Sequence, residues 1–206
     1  TWLPNIWFAS QMFSRPSRQA PQTPQVNTAG SRTVSPSFQP VTPAPASALP
    51  AGQAARPASL SELATRTAAT LRASGTTSVT LAIDDSLFTG PRLAPGWPTT
   101  YVTSGVVSPV SALSADSGKV SATSRARDAD PALAAGRYFA ARLAKSGITV
   151  APAVTRTVAA AGATPIASVT SPTVAALVER MLTDSDNDLA EALAHLAGGK
   201  LLGDPS

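Results

Sequence analysis

Residues 59–83 read SLSELATRTAATLRASGTTSVTLAI, and residues 130–150 read DPALAAGRYFAARLAKSGITV. Both stretches share one grammar: helix, glycine, strand. In the first, Ser59 and Glu62 are spaced as a capping box, with the Ser59 hydroxyl taking an orphan N–H and Glu62 reaching back. Leu60, Leu63, Ala64, Thr67 and Leu71 recur at helical spacing, and Gly75 supplies a left-handed stop. Val79, Leu81 and Ile83 then alternate with Thr80 and Ala82 as in a half-buried strand. In the second, Asp130-Pro131 places an N-cap before a first-turn proline. Leu133, Gly136, Phe139, Ala140 and Leu143 share one face ahead of Gly147, and Ile148-Thr149-Val150 opens a strand. Two helix–strand units predict a mixed α/β (α+β) fold.

Outward from these units the signals weaken. Ser86 to Arg127 is rich in turn residues, with short strands predicted around Tyr101–Val107, Val110–Ser114 and Val120–Thr123. A further strand is predicted near Ile166–Thr170. Ser171-Pro172 predicts a helix start, with Val174, Leu177, Val178, Met181 and Leu182 facing inward. A break near Thr183-Asp184-Ser185 leads into a last helix with Leu189, Leu193 and Leu196 on one stripe. His195 lies beside that stripe and reads as a surface or half-buried side chain rather than a ligand.

Composition narrows the chemistry. The 206 residues include no Cys and one His, which excludes a disulfide framework, a thiol nucleophile, thiolate-bound zinc and a multi-histidine metal site. No metal or cofactor is expected. No apolar run is long enough to span a membrane. The net charge of +4 suggests nucleic acid, but its placement removes the suggestion. Arg15, Arg18, Arg32 and Arg56 account for the whole excess, and they are scattered over residues 1–57, which contain no acid. The remainder is electrically balanced, with no clustered Lys/Arg for phosphates to meet.

Residues 1–57 also hold ten of the 19 prolines, so they are expected to form a disordered Pro/Ala/Ser-rich tail. The apolar residues Trp2 to Phe13 lack a clean period and a basic flank, so they do not read as a signal peptide. The first residue is Thr, which is not expected to be a native start.

One short motif carries chemistry: Ser185-Asp186-Asn187, between two predicted helices. Ser, Asp and Asn are ordinary helix-cap residues, so the triplet alone is weak. Its setting is more specific. Met181 to Leu193 reads MLTDSDNDLAEAL and resembles the signature of D-alanyl-D-alanine carboxypeptidases of the penicillin-binding class with inserted domains. Asp84-Asp85-Ser86-Leu87-Phe88-Thr89-Gly90-Pro91, Pro95-Gly96-Trp97, Ser108-Pro109-Val110-Ser111-Ala112-Leu113 and Asp130 through Val150 are similar to the same family, in the same order. The resemblance covers about residues 58–197 and does not reach 1–57.

The resemblance implies a serine-type hydrolase of peptidoglycan stem peptides that also reacts with β-lactams, in the cell envelope. It implies that Ser185 joins the proton relay and that Asn187 contacts the substrate's acyl-side carbonyl. It further implies three regions: the tail at 1–57, an inserted α/β region at 58–170, and at 171–200 a helical piece of a β-lactamase-like catalytic domain. The chain departs from the family pattern in two places. None of Lys119, Lys145 and Lys200 follows a Ser by three positions, so no Ser-x-x-Lys is present. Lys145-Ser146-Gly147 imitates the family's Lys-Thr-Gly, but it precedes Ser185 and ends a predicted helix. The chain is therefore expected to be an internal fragment, inactive alone. The alternative is a non-catalytic wall-associated binding or scaffold module.

Overall fold

The computed structural model describes residues 6–8, 58–159, 163 and 165–201. The elements in chain order are β1 (Ile6–Phe8), α1 (Leu60–Ala73), β2 (Ser78–Ile83), α2 (Thr100–Thr103) and β3 (Leu113–Ala115). They continue with α3 (Pro131–Lys145), β4 (Thr149–Arg156), α4 (Val174–Asp184) and α5 (Asn187–Leu201). Of the proline-rich tail, only Ile6–Phe8 falls within the described residues, paired antiparallel with β3.

The two helix–strand units form as the caps dictate. Ser59 Oγ accepts from the Glu62 N–H at 3.4 Å, while the Glu62 carboxylate pairs with Arg66 one turn on instead of returning to the cap. Asp130 Oδ1 accepts from the Leu133 N–H at 3.2 Å, with Pro131 in the first turn. Gly147, at φ 82°, ends α3 in the left-handed region, and Lys145-Ser146-Gly147 is thus the helix terminus.

β2 and β4 pair in parallel, with Ser78 opposite Thr149 and Val79 opposite Val150. The register then slips, so that Leu81 meets Val154. Pro152, which has no N–H to give to a ladder, lies inside the slipped stretch. α1 and α3 cover this sheet. Leu60, Ile83, Leu113, Ala132 and Ala135 form one buried cluster; Ala64, Ala68, Leu143 and Ile148 form a second, and Phe139 packs against both.

Gly136 sets how closely α3 approaches the strands. A Cβ there would meet Ile83 Cγ2 at 2.7 Å and Val154 Cγ1 at 2.9 Å. In an open helix, Gly→Ala gains about 1 kcal/mol. Here the sign should reverse, because overpacking of this kind costs about 1–3 kcal/mol. Urea denaturation of Gly136→Ala should give a lower midpoint, and a raised midpoint would show that α3 can lift off the sheet without loss.

An ionic network ties the ends of these elements. Arg156 donates to Asp85 from Nε at 2.8 Å and to Asp130 from Nη2 at 2.8 Å, and Arg92 faces both carboxylates. Burial works against ionised Asp130, but the Leu133 N–H and Arg156 outweigh it and hold the carboxyl below its ordinary range.

The structure corrects several expectations. Tyr101–Val107 contains the short helix α2 and a turn, not a strand, and Gly105 at φ 76° makes that turn. Of Val110–Ser114 only the end belongs to a strand, and Val120–Thr123 and Ile166–Thr170 lie outside strands. In α4 only Leu177 is buried; Val174, Val178 and Leu182 are exposed, Leu182 at 70%.

Candidate active site

Thr173 caps α4 by accepting the Ala176 N–H at 3.3 Å, and the helix ends at Ser185. Ser185 sits at φ 50°, ψ 46°, and the N–H groups of Ser185 and Asp186 both reach the Met181 carbonyl. A left-handed residue at this position is usually Gly, because a Cβ there is strained. The next helix starts at once. Asp186, not Ser185, caps it: Asp186 Oδ1 accepts from the Leu189 N–H at 3.0 Å and its carbonyl from Ala190. Ser185 and Asn187 flank the cap, both exposed. Among the described residues neither side chain has a hydrogen-bond partner.

Asp188 is different. Its side chain is only 12% exposed, and Oδ1 accepts the Ser108 N–H at 2.6 Å. Oδ2 lies 3.7 Å from Arg127 Nη2. Arg127 in turn donates to the Ser117 carbonyl at 3.0 Å and to the Gly105 carbonyl at 3.2 Å. The guanidinium is delivered by a loop that folds back on itself, with Arg127 bridged to Lys119 and the Asp128 N–H on the Gly118 carbonyl. Gly105 is needed where this loop closes, since a Cβ would come within 2.0 Å of the Arg125 carbonyl oxygen.

Asp188 and four serines (108, 111, 114 and 117) help line a cavity of about 20 Å³, room for one water. Among the described residues the buried hydroxyls of Ser108 and Ser114, which line it, have no hydrogen-bond partner, nor does the buried Arg127 Nε. Burial pushes the Asp188 carboxyl up to about 6, although the Ser108 N–H and Arg127 favour its ionised form.

Farther along α5, His195 is buried at 8% exposure and stacks on Phe88, with ring centroids 4.9 Å apart. This corrects the surface or half-buried expectation. Stacking on an aromatic from the Asp84–Pro91 stretch removes one imidazole face from water. Thus α5 contacts two of the stretches singled out in the sequence, through Asp188–Ser108 and His195–Phe88. Among the described residues no group of three or more His, Asp or Glu stands ready to hold a metal.

The model of the D-Ala-D-Ala carboxypeptidase 3 (S13) family matches residues 53–130 and 123–206. The chain belongs to that family. Two relatives agree: Carboxypeptidase Rv3627c of Mycobacterium tuberculosis is 37% identical over 125 residues, and Carboxypeptidase DacB of Mycolicibacterium smegmatis is 32% identical over 128. Each alignment covers 60% of this chain but only 26% and 27% of the relative's own length. No solved structure gives a significant match.

Asp188 and Arg127 were missed in the sequence. An Asp in the first turn of a helix reads as an ordinary dipole-matching residue, and nothing local announces that a distant loop buries it. Among the described residues no helix is long and apolar enough to cross a membrane.

Proposed function

We propose that the chain supplies the middle, Ser-x-Asn element of a serine-type D-alanyl-D-alanine carboxypeptidase that acts on peptidoglycan stem peptides outside the cytoplasm. In this reading Ser185 is the relay hydroxyl between the nucleophile's lysine and the leaving group, and Asn187 holds the substrate's acyl-side carbonyl. Residues 58–170 are the inserted α/β region, and 171–200 belong to the catalytic domain.

One observation carries the reading. The duty of capping α5 falls on Asp186, while Ser185 keeps a strained backbone and a hydroxyl that is unpartnered among the described residues. The capping explanation for Ser185 therefore loses its support. Strain held at an exposed polar residue, with a second exposed polar residue two positions on, is what a site facing substrate needs.

The 206 residues alone are read as unable to acylate, because acylation needs a serine activated by a neighbouring lysine, and no Ser-x-x-Lys occurs in them. Intact-mass measurement after incubation with a β-lactam should show no added acyl mass. One stoichiometric adduct would overturn this division of labour.

A further inference from the structure

Ser185 and Asn187 stand on a turn with no side-chain hydrogen bond of its own to the rest of the fold among the described residues. What fastens the adjacent turn of α5 is Asp188, one residue past the motif. We propose that Asp188 is the positioning residue of this site: its carboxyl binds the first turn of α5 to the Ser108 amide and to Arg127, and so fixes where Ser185 and Asn187 stand. The inference rests on the reading of Ser185 and Asn187 as site residues.

Three independent features converge on this carboxyl. The Ser108 N–H···Oδ1 contact, at 2.6 Å, links positions 80 residues apart. Arg127 is held by two backbone carbonyls, so it acts as a fixed anchor rather than a mobile surface cation. Among the described residues the buried Ser108 and Ser114 hydroxyls have no hydrogen-bond partner, and both line the small cavity that Asp188 also lines. Asp186, by contrast, caps the helix locally and reaches nothing outside it in its side-chain bond to Leu189.

The fastening responds to pH. The charged groups acting on Asp188 are Arg127 and Lys119, which favour its ionised form, and Asp186, which opposes it. Burial outweighs the favourable pair and raises the carboxyl from 3.8 to about 6. A carboxyl that binds its proton more tightly in the fastened state fastens best below 3.8, and its grip weakens as pH rises through about 6.

Amide hydrogen exchange of the 206-residue chain tests this without requiring turnover. Protection at Ser108 and at residues 185–190, corrected for intrinsic exchange, would be followed from about pH 5 to about pH 7.5. Asp188→Ala should lower protection at Ser108 and 185–190 by about tenfold while α1 and α3 keep theirs. Asp188→Asn keeps an acceptor and removes the charge, so it should preserve the protection and abolish its pH response. If the alanine variant fails to fold, the asparagine variant decides alone. Unchanged protection in Asp188→Ala, or an unchanged pH response in Asp188→Asn, overturns the proposal. Because exchange is read without catalysis, that outcome would leave the roles of Ser185 and Asn187 to be judged by acylation rate.

Discussion

Ser185→Ala in a complete carboxypeptidase carrying this segment is expected to slow acylation by a β-lactam about 10²–10⁴-fold, the usual worth of a positioned proton-transfer group. A companion variant sharpens the test. Ser185 occupies the left-handed region at φ 50°, so Ser185→Gly removes the same hydroxyl and also relieves backbone strain of roughly 1–2 kcal/mol. The glycine variant should therefore melt higher and react slower than the parent. If Ser185 served only as a helix cap, its loss would cost about 1 kcal/mol of stability and leave the rate alone. Measuring Tm and acylation rate for both variants separates the two: a lower Tm with an unchanged rate would sink the relay role.

Leu143→Ala should cost about 2–5 kcal/mol in the isolated chain, since a large side chain would be deleted from a packed site. Leu143 is 1% exposed and lies between α1 and the strands, against Ala64, Ala68 and Ile148. Two of these neighbours are alanines, whose methyl groups are too short to follow the receding wall, so the cavity should stay open. Leu182→Ala provides the contrast. Leu182 is 70% exposed, and its replacement should fall within about 0.5 kcal/mol of the parent. Equal losses at the two positions by chemical denaturation would contradict the packing described for both.

That contrast also measures how far residue order alone reaches. Helical spacing gives Leu143 and Leu182 the same standing, as members of apolar stripes. Leu143 is buried because Gly75 and Gly147 turn each helix back onto its own strand, and those stops are visible in the sequence. Periodicity says only that α4 has an apolar side, not that anything lies against it, and Val174, Val178 and Leu182 are exposed. The turn-rich middle is the least legible part of the sequence. Val106 and Val107 looked like strand residues, but a tight turn at Gly105 and a short helix place them in a loop that closes on Arg125. The SDN triplet was legible as a motif, and its helix–turn–helix setting was expected. The burial of Asp188 was not, because it depends on a loop 80 positions earlier presenting one N–H.

The division of duties inside the triplet restricts its middle letter. Written as Ser-x-Asn, the motif treats the second position as open. In this fold it must be filled by a short side chain able to accept the N–H three residues ahead, as Asp186 does for Leu189. That leaves Asp, Asn, Ser and Thr as the natural vocabulary. A long or apolar residue there would let the start of α5 fray and shift both outer letters while leaving their identities intact. The pattern would survive on paper and fail in space.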